Sequence, residues 1–365
     1  MISESRDDPA ANWLEVDLDA VRQNAVAVQR RAGAPLLPMV KADAYGLGVL
    51  AVVRALEPLG PWGYGVASVR EGAELRAAGV ERPVVVFTPL LPFDFPAARA
   101  ARLTPVLGDP ASIAAWTAAG DGAPWHLGVD SGMARAGVRW DDVAAVAELA
   151  RRAPPAGACT HFHSAQLPDG SVAEQEARFD AALGALPARP GLVHAENSAA
   201  IVGREGASRW DLARPGIFLY GVTTPEHAGL RAAAVVSLRA RVVELRQLRD
   251  GDPVSYDATY RARGPRRIAT AALGYADGYR RALSNRGAAR IGGRDAPVAG
   301  LVTMDMTMLD VTDVPCAVGD VATFIGGDAD GLDVASVARR AEVSPYELLV
   351  GLRLRARRRY TGAGA

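Results

Sequence analysis

Between about residues 35 and 221, short apolar runs alternate with alanine-rich stretches whose apolar positions recur at helical spacing. That is the pattern of βα units around a parallel sheet. Eight runs can be followed: APLLPMV leading into Lys41, GYGVAS at 63–68, PVVVFT at 83–88, TPVLG at 104–108, WHLGVD at 125–130, GACTHFH at 157–163, GLVHAEN at 191–197 and GIFLYG at 216–221. Between them, Val69–Gly79 reads as a helix with Val69 and Leu75 inward and Gly79 as its stop, and Asp141–Arg152 as another. Eight repeats within this span predict an α/β protein whose N-terminal part is a closed (β/α)8, TIM-type barrel rather than an open doubly wound sheet.

From about residue 233 the pattern changes. VVSLRARVVEL mixes alternation with β-branched pairs, ARIGGRDAPVAGLVTMDMTMLDVT reads as strand, Gly-rich turn and strand, and GDVATFIGG is a further strand followed by a helical DVASVARRAEV. DGDP at 250–253 reads as a turn, and the Arg-rich RLRARRRY near the end as a solvated or interface segment. Two domains are expected: a barrel over 12–232 and a mostly-β domain over 233–365. The first strand, near 12–17, is a candidate partner for the second domain.

A chain of 365 residues with 49% hydrophobic content suits one large and one smaller domain. Lys+Arg and Asp+Glu both number 41, so no net charge draws the chain to nucleic acid or an acidic membrane, and a small neutral or zwitterionic substrate fits better. Cys159 and Cys316 form no metal-ligand or disulfide pattern, and no metal is expected. The polar opening MISESRDDPA is no secretory signal, and no apolar run is long enough to span a bilayer. The expectation is a cytoplasmic enzyme.

Among those 41 cations Lys41 is the only lysine. Composition could have drifted to arginine and left one lysine behind. The other reading is a site that needs an amine able to lose its proton and condense with an aldehyde, which guanidinium cannot do. The neighbourhood favours the second reading. In a barrel the chemistry sits at the C-terminal ends of the strands. Lys41 closes the first strand and Asp130 the fifth, with Arg135 just beyond. His161 and His163 lie in the sixth, Asn197 and Ser198 follow the seventh, and Arg214 precedes the eighth.

With these residues in place, the sequence resembles the alanine racemase family, pyridoxal-phosphate enzymes with an N-terminal barrel and a C-terminal β domain. The resemblance runs from WLEVDLDAVRQN near residue 13 to RRRY at 360. It is carried in order by VKADAYG, GVAS, VDSGMARAG, THF, ENSAA, RPGIFLYG, PVSYDATY, GYADGY, VTMDMTMLDVT and SPYELL. It implies that Lys41 holds pyridoxal 5'-phosphate through an imine and is one catalytic base. Tyr45, Ser198, Gly216, Ile217 and Tyr346 match phosphate-binding positions, His161 the residue beside the cofactor ring, and Arg214 the arginine facing the pyridine nitrogen. Because guanidinium only donates, that nitrogen would stay unprotonated and the cofactor would be a weaker electron sink, favouring proton exchange at Cα over transamination.

Racemisation takes a proton from one face of a planar centre and returns one to the other, so two bases are the minimal machinery. Tyr256 matches the second base, which in the family comes from the partner subunit; the resemblance therefore implies a homodimer with composite sites. Arg135 and the amide of Met304 match the substrate-carboxylate ligands, Asp305 lies in the same loop, and Tyr275 matches an entrance residue. His163 has no counterpart. Departures are Asp43 and Leu47 for the usual asparagine and histidine, Ala134 for a glycine, and Gly128 where many members carry a carbamylated lysine that helps position the arginine. Alanine racemisation for peptidoglycan is the leading expectation. A broader or serine-preferring racemase, and a non-catalytic pyridoxal-phosphate carrier, are the alternatives.

Overall fold

The computed structural model describes residues 10–225, 229–326, 331–352 and 355–362. The polar residues 1–9, His227 and part of the Arg-rich end therefore lie outside the described residues. The chain divides into two compact units. One combines the N-terminal residues through Ala20 with Tyr45–Ala51 and everything from Ala233 onward; the other holds Val21–Ala44 and Val52–Ala232.

In the second of these units six strands pair in parallel in sequence order: Tyr64–Val66, Val84–Val86, Thr104–Leu107, His126–Asp130, Gly157–Cys159 and Leu192–His194. The ring is completed by two irregular staves. Arg214 bridges Asn197, Ala213 bridges Leu36, and Met39 bridges Gly65, all in parallel. Pro35, Pro38 and Pro215 lie in these two staves and have no N–H to give, so single bridges replace a continuous ladder. The barrel interior is closed by side chains such as Leu37, Val85 and Leu212, all fully buried.

The eighth stave differs from expectation. It is formed by the residues around Ala213 and Arg214, whereas Ile217–Tyr220, expected as the strand, is a 3₁₀ turn. All four of its side chains are buried. The Tyr220 hydroxyl donates to the Met39 carbonyl at 2.8 Å and ties the turn to the first stave.

Helix starts follow local chemistry. Ser68 caps Val69–Ala77 in a reciprocal capping box with Glu71, and Gly79 (φ 86°) ends the segment. Asp109 caps Pro110–Thr117 with proline in its first turn, and Asn197 caps Ser198–Gly203.

The other unit is built on a 13-residue strand, Val236–Leu248. One sheet runs in the order Arg294–Pro297, Ala288–Ile291, Val321–Ile325, Val236–Leu248, Asn12–Asp17 and Arg357–Thr361. The far end of the long strand pairs with Arg266–Ala271, and that strand with Thr307–Asp310. The Arg-rich end is thus not merely a solvated segment: Arg357–Thr361 pairs in parallel with Asn12–Asp17 at the sheet edge. Charged side chains on an edge strand discourage further pairing. Leu14, Val16, Leu238, Ala240, Ala322 and Phe324 are fully buried in this unit. Among the described residues no helix is long and apolar enough to cross a membrane.

Candidate active site

A cavity of about 350 Å³ opens in the barrel unit, lined among others by Lys41, Gly128, Asp130, Arg135, His161 and Arg214. The structure therefore brings together the lysine, the arginine pair and the histidine singled out at the strand ends. Lys41 begins an unusual segment: Ala42, Asp43, Ala44 and Tyr45 all have φ between 52° and 58°, a left-handed turn closed by the Ala44 N–H on the Val40 carbonyl at 2.9 Å. Each such non-glycine residue costs about 1–2 kcal/mol, so the surroundings must hold the turn. The Lys41 side chain is accessible, but only through a concave site. Desolvation first, then the charge of Arg135, pulls its amine below the usual lysine range, against an opposing pull from Glu71. A lowered amine is closer to the neutral nucleophile that carbonyl chemistry requires.

Arg214 is buried, and both its Nη atoms are engaged. Nη1 donates to Nδ1 of His194 at 2.8 Å, and Nη2 donates to the carbonyls of Thr160 (2.7 Å) and Ala195 (2.9 Å) and lies 3.4 Å from Nδ1 of His161. Guanidinium has no acceptor, so Nδ1 of His194 must accept and its Nε2–H must point away. It points at Nδ1 of His126, 2.9 Å distant. A relay of neutral imidazoles thus stands behind the arginine. Burial, with Arg214 next, pulls His126 down to about 4 and His194 well below the ordinary value. His161 is drawn down to about 3 by burial, then by Arg214, Arg135 and Lys41. Gly157 makes room for the relay, since a Cβ there would come within 2.8 Å of His126 Nε2.

Ser198 Oγ accepts the N–H groups of Gly216 (2.8 Å) and Phe218 (3.3 Å), which leaves its hydroxyl proton to give. This joins Ser198, Gly216 and Ile217 in one buried corner of the barrel unit. Asp130 Oδ1 accepts from Gly132 and Ala134 and shapes the loop to Arg135. Ala134 takes φ 55° there. Among the described residues Arg135 has no hydrogen-bond or ion-pair partner, and Gly128, which has no side chain to offer one, lines the same cavity. Gly108 packs on Gly137 so closely that a Cβ on Gly108 would stand 2.4 Å from the Gly137 Cα, which closes this wall of the cavity with backbone. His163 is exposed and bonded to Ser164.

The remaining expected residues belong to the other unit. Tyr45 is buried, its ring 6.0 Å from that of Tyr346, and burial raises its phenol far above the usual value. The loops carrying Tyr275 and Met304 are laced by Tyr275 N–H to Thr303 (3.0 Å) and Ala276 N–H to Met304 (3.0 Å). Arg355 binds both Asp277 carboxylate oxygens, at 2.7 and 3.0 Å, and Asp305 at 2.7 Å. Tyr256 sits at the head of a 3₁₀ turn, 70% exposed, between Ser255 and Asp257, both with positive φ. Ser255 Oγ donates to the Leu301 carbonyl at 2.8 Å, so this exposed ring stands on a restrained loop.

The sequence reading missed His126, His194 and Glu71. A histidine inside an otherwise apolar stave is the signal for the first two, and the S-x-x-E spacing at 68–71 marks the third.

A parallel barrel with a lone, acid-shifted lysine at the end of its first stave, facing buried arginine and neutral histidine, defines a barrel enzyme that works through a carbonyl cofactor. The Alanine racemase N-terminal domain model matches residues 16–224 and the C-terminal domain model residues 235–360. The chain belongs to the alanine racemase family, whose members are pyridoxal-phosphate-dependent isomerases. It is 38% identical to the alanine racemase of Geobacter sp. (strain M21) over 96% of this chain and 98% of that one. It is 39% identical to that of Deinococcus radiodurans, covering 93% and 96%. The biosynthetic alanine racemase of Pseudomonas aeruginosa superposes with a TM-score of 0.87 at 33% identity, covering 96% of this chain and 99% of that one. The enzyme from Bartonella henselae, described with covalently bound pyridoxal phosphate, gives 0.90 at 27% identity over 97% and 100%.

Proposed function

We propose that this chain interconverts L- and D-alanine in the cytoplasm as a homodimer, supplying D-alanine for peptidoglycan. The observation that carries the reading is Lys41: the chain's one side-chain amine, its proton affinity lowered, in a cavity with Arg135 and Arg214. The donor set fits pyridoxal 5'-phosphate. An amine is available for its aldehyde, Arg214 presents only donors to its ring nitrogen, and Ser198 with the Gly216–Ile217 backbone offers a phosphate corner free of competing carboxylate bonds. Tyr45 and Tyr346 are the proposed further phosphate ligands. When bound, the cofactor withdraws electrons from the substrate Cα and makes its proton removable.

The residues then divide the work. Arg135, unpaired among the described residues, is the proposed ligand of the substrate carboxylate; the Met304 amide is proposed as a further one, on a loop that Asp305 and Arg355 brace. Tyr275 and Tyr346 restrict the entrance. Lys41 Nζ exchanges a proton on one face of Cα, and Tyr256 Oη, supplied by the second copy, exchanges one on the other. Arg214, fastened by His194, Thr160 and Ala195, keeps its donors aimed and adds no labile proton. His161, held neutral, can sit beside the cofactor ring without adding charge.

The test is incubation with L-alanine in deuterated water, following chirality and Cα exchange together. Exchange with inversion is expected; exchange with retention would leave Tyr256 without a role. Arg135, without a partner among the described residues and in a cavity also lined by Gly128, favours a second reading, a racemase of broader side-chain tolerance, because a loosely held guanidinium can shift to suit larger substrates. Comparing kcat/KM for alanine, serine and lysine decides it: a strong preference for alanine rules out the broader range.

A further inference from the structure

The left-handed turn that begins at Lys41 is gripped by a side chain from the first turn of the helix that follows the neighbouring stave. Glu71 Oε1 accepts the Ala42 N–H at 2.8 Å, while Oε2 accepts the N–H groups of Ala67 (2.7 Å) and Ser68 (3.3 Å). Ala67 follows the stave Tyr64–Val66, which already bridges the first stave through Gly65 and Met39. One carboxylate therefore links the C-terminal ends of two adjacent staves. The Ala42 N–H belongs to the peptide plane that also contains the Lys41 carbonyl. Holding that plane fixes the last backbone torsion of Lys41 and hence the direction in which its side chain leaves.

We infer that Glu71 is a positioning residue for Lys41, its carboxylate pinning the Lys41–Ala42 peptide so that the amine stands at a set place in the cavity. This goes beyond an ordinary helix cap. A capping box needs only the bonds between Ser68 and Glu71, whereas Oε1 is spent on a residue 29 positions earlier. The chemistry also demands a carboxylate. Three N–H groups converge on it, and an amide in its place would turn its NH₂ toward one of them. Its charge acts on Lys41 in the same direction, favouring the protonated amine, while Arg135 and burial oppose this. The other charged or titratable groups lining the cavity with Lys41 are Asp130, Cys159, His161 and Arg214.

The inference rests on Lys41 being the amine that holds the cofactor, so borohydride trapping of the wild-type holoenzyme comes first. Failure to recover a pyridoxyl group on Lys41 would defeat that reading separately. Glu71→Gln is then compared with Ser68→Ala, which weakens the cap but leaves the bond to Ala42. Since Lys41 is the only lysine, reductive ¹³C-methylation of the cofactor-free full chain gives one side-chain amine resonance whose midpoint can be followed with pH. Glu71→Gln is expected to move that midpoint to lower pH, to weaken pyridoxal-phosphate binding at least tenfold and to lower kcat on the order of 10²-fold through misplacement. Ser68→Ala should reduce the melting temperature and leave the midpoint and binding where they were. If Glu71→Gln behaves like Ser68→Ala, losing only thermal stability, Glu71 is a cap and the inference is overturned. Should Glu71→Gln not fold, Glu71→Asp, one methylene shorter with its charge kept, serves instead: weakened cofactor binding supports the role, and unchanged binding overturns it.

Discussion

Arg214 donates to Nδ1 of His194 across 2.8 Å in a fully buried part of the barrel. Because the arginine cannot accept, this one contact sets the tautomer of His194 and, through it, the accepting role of His126. The fixed polarity of the relay keeps donors aimed into the cavity.

The relay makes stability depend on acid. His126 is held at about 4 against an ordinary 6.5, so between those values the unfolded chain binds a proton that the native chain refuses. Stability is complete above about pH 6.5 and falls as pH drops toward 4, by on the order of 3 kcal/mol for this residue alone. His126→Gln, whose amide oxygen can still accept from His194, should flatten the decline. Urea midpoints measured from pH 7 to pH 4.5 check this; parallel slopes for both proteins would count against it.

Lys41→Arg keeps a cation and removes the nucleophile. Purified variant should lack the cofactor's visible absorbance, and racemisation should fall by 10⁴-fold or more, roughly the upper range for loss of a general base. Retained absorbance after dialysis would show that another group holds the cofactor.

Arg214→Lys removes the fork that reaches His194, Thr160 and Ala195 at once. Hydrogen bonds to a charged group contribute roughly 1.5–3 kcal/mol each, so a lower melting temperature is expected. The replacement ammonium can also give up its proton, so pyruvate released per racemisation turnover should rise. A variant that melts early with an unchanged pyruvate ratio would confine Arg214 to structure.

Tyr256 gives the test of composite sites. Lys41→Ala and Tyr256→Phe should each be nearly inactive as homodimers. Mixing the two under exchanging conditions should restore activity, to about one quarter of wild type if subunits redistribute at random and one site in two is intact in each mixed dimer. No recovery, with exchange proven by mass, would place both residues of each site in one subunit.

Much of this was readable from residues alone. Six apolar runs of the barrel became parallel strands where the alternation placed them, and Val69–Gly79 became a helix ending at its glycine. The eighth stave was misread because Ile217–Tyr220 has the β-branched and aromatic content of a strand, whereas the bridges that complete the ring fall to Ala213 and Arg214 just before it. The Arg-rich end read as a solvated or interface segment rather than a strand because its partner, Asn12–Asp17, lies more than three hundred residues earlier. No local pattern reports such a pairing.

What the sequence determined by itself is the kind of chemistry and the kind of scaffold. A single lysine among 41 cations marks an amine that composition could have replaced everywhere else. Period and spacing mark the barrel, because hydrophobic burial writes itself into local alternation. Tertiary structure alone decided how the amine is held and tuned. The Glu71 grip on Ala42 and the two histidines behind Arg214 depend on contacts between residues distant in sequence. Hydrogen-bond direction and desolvation are properties of those contacts, and they arise only once the chain has folded.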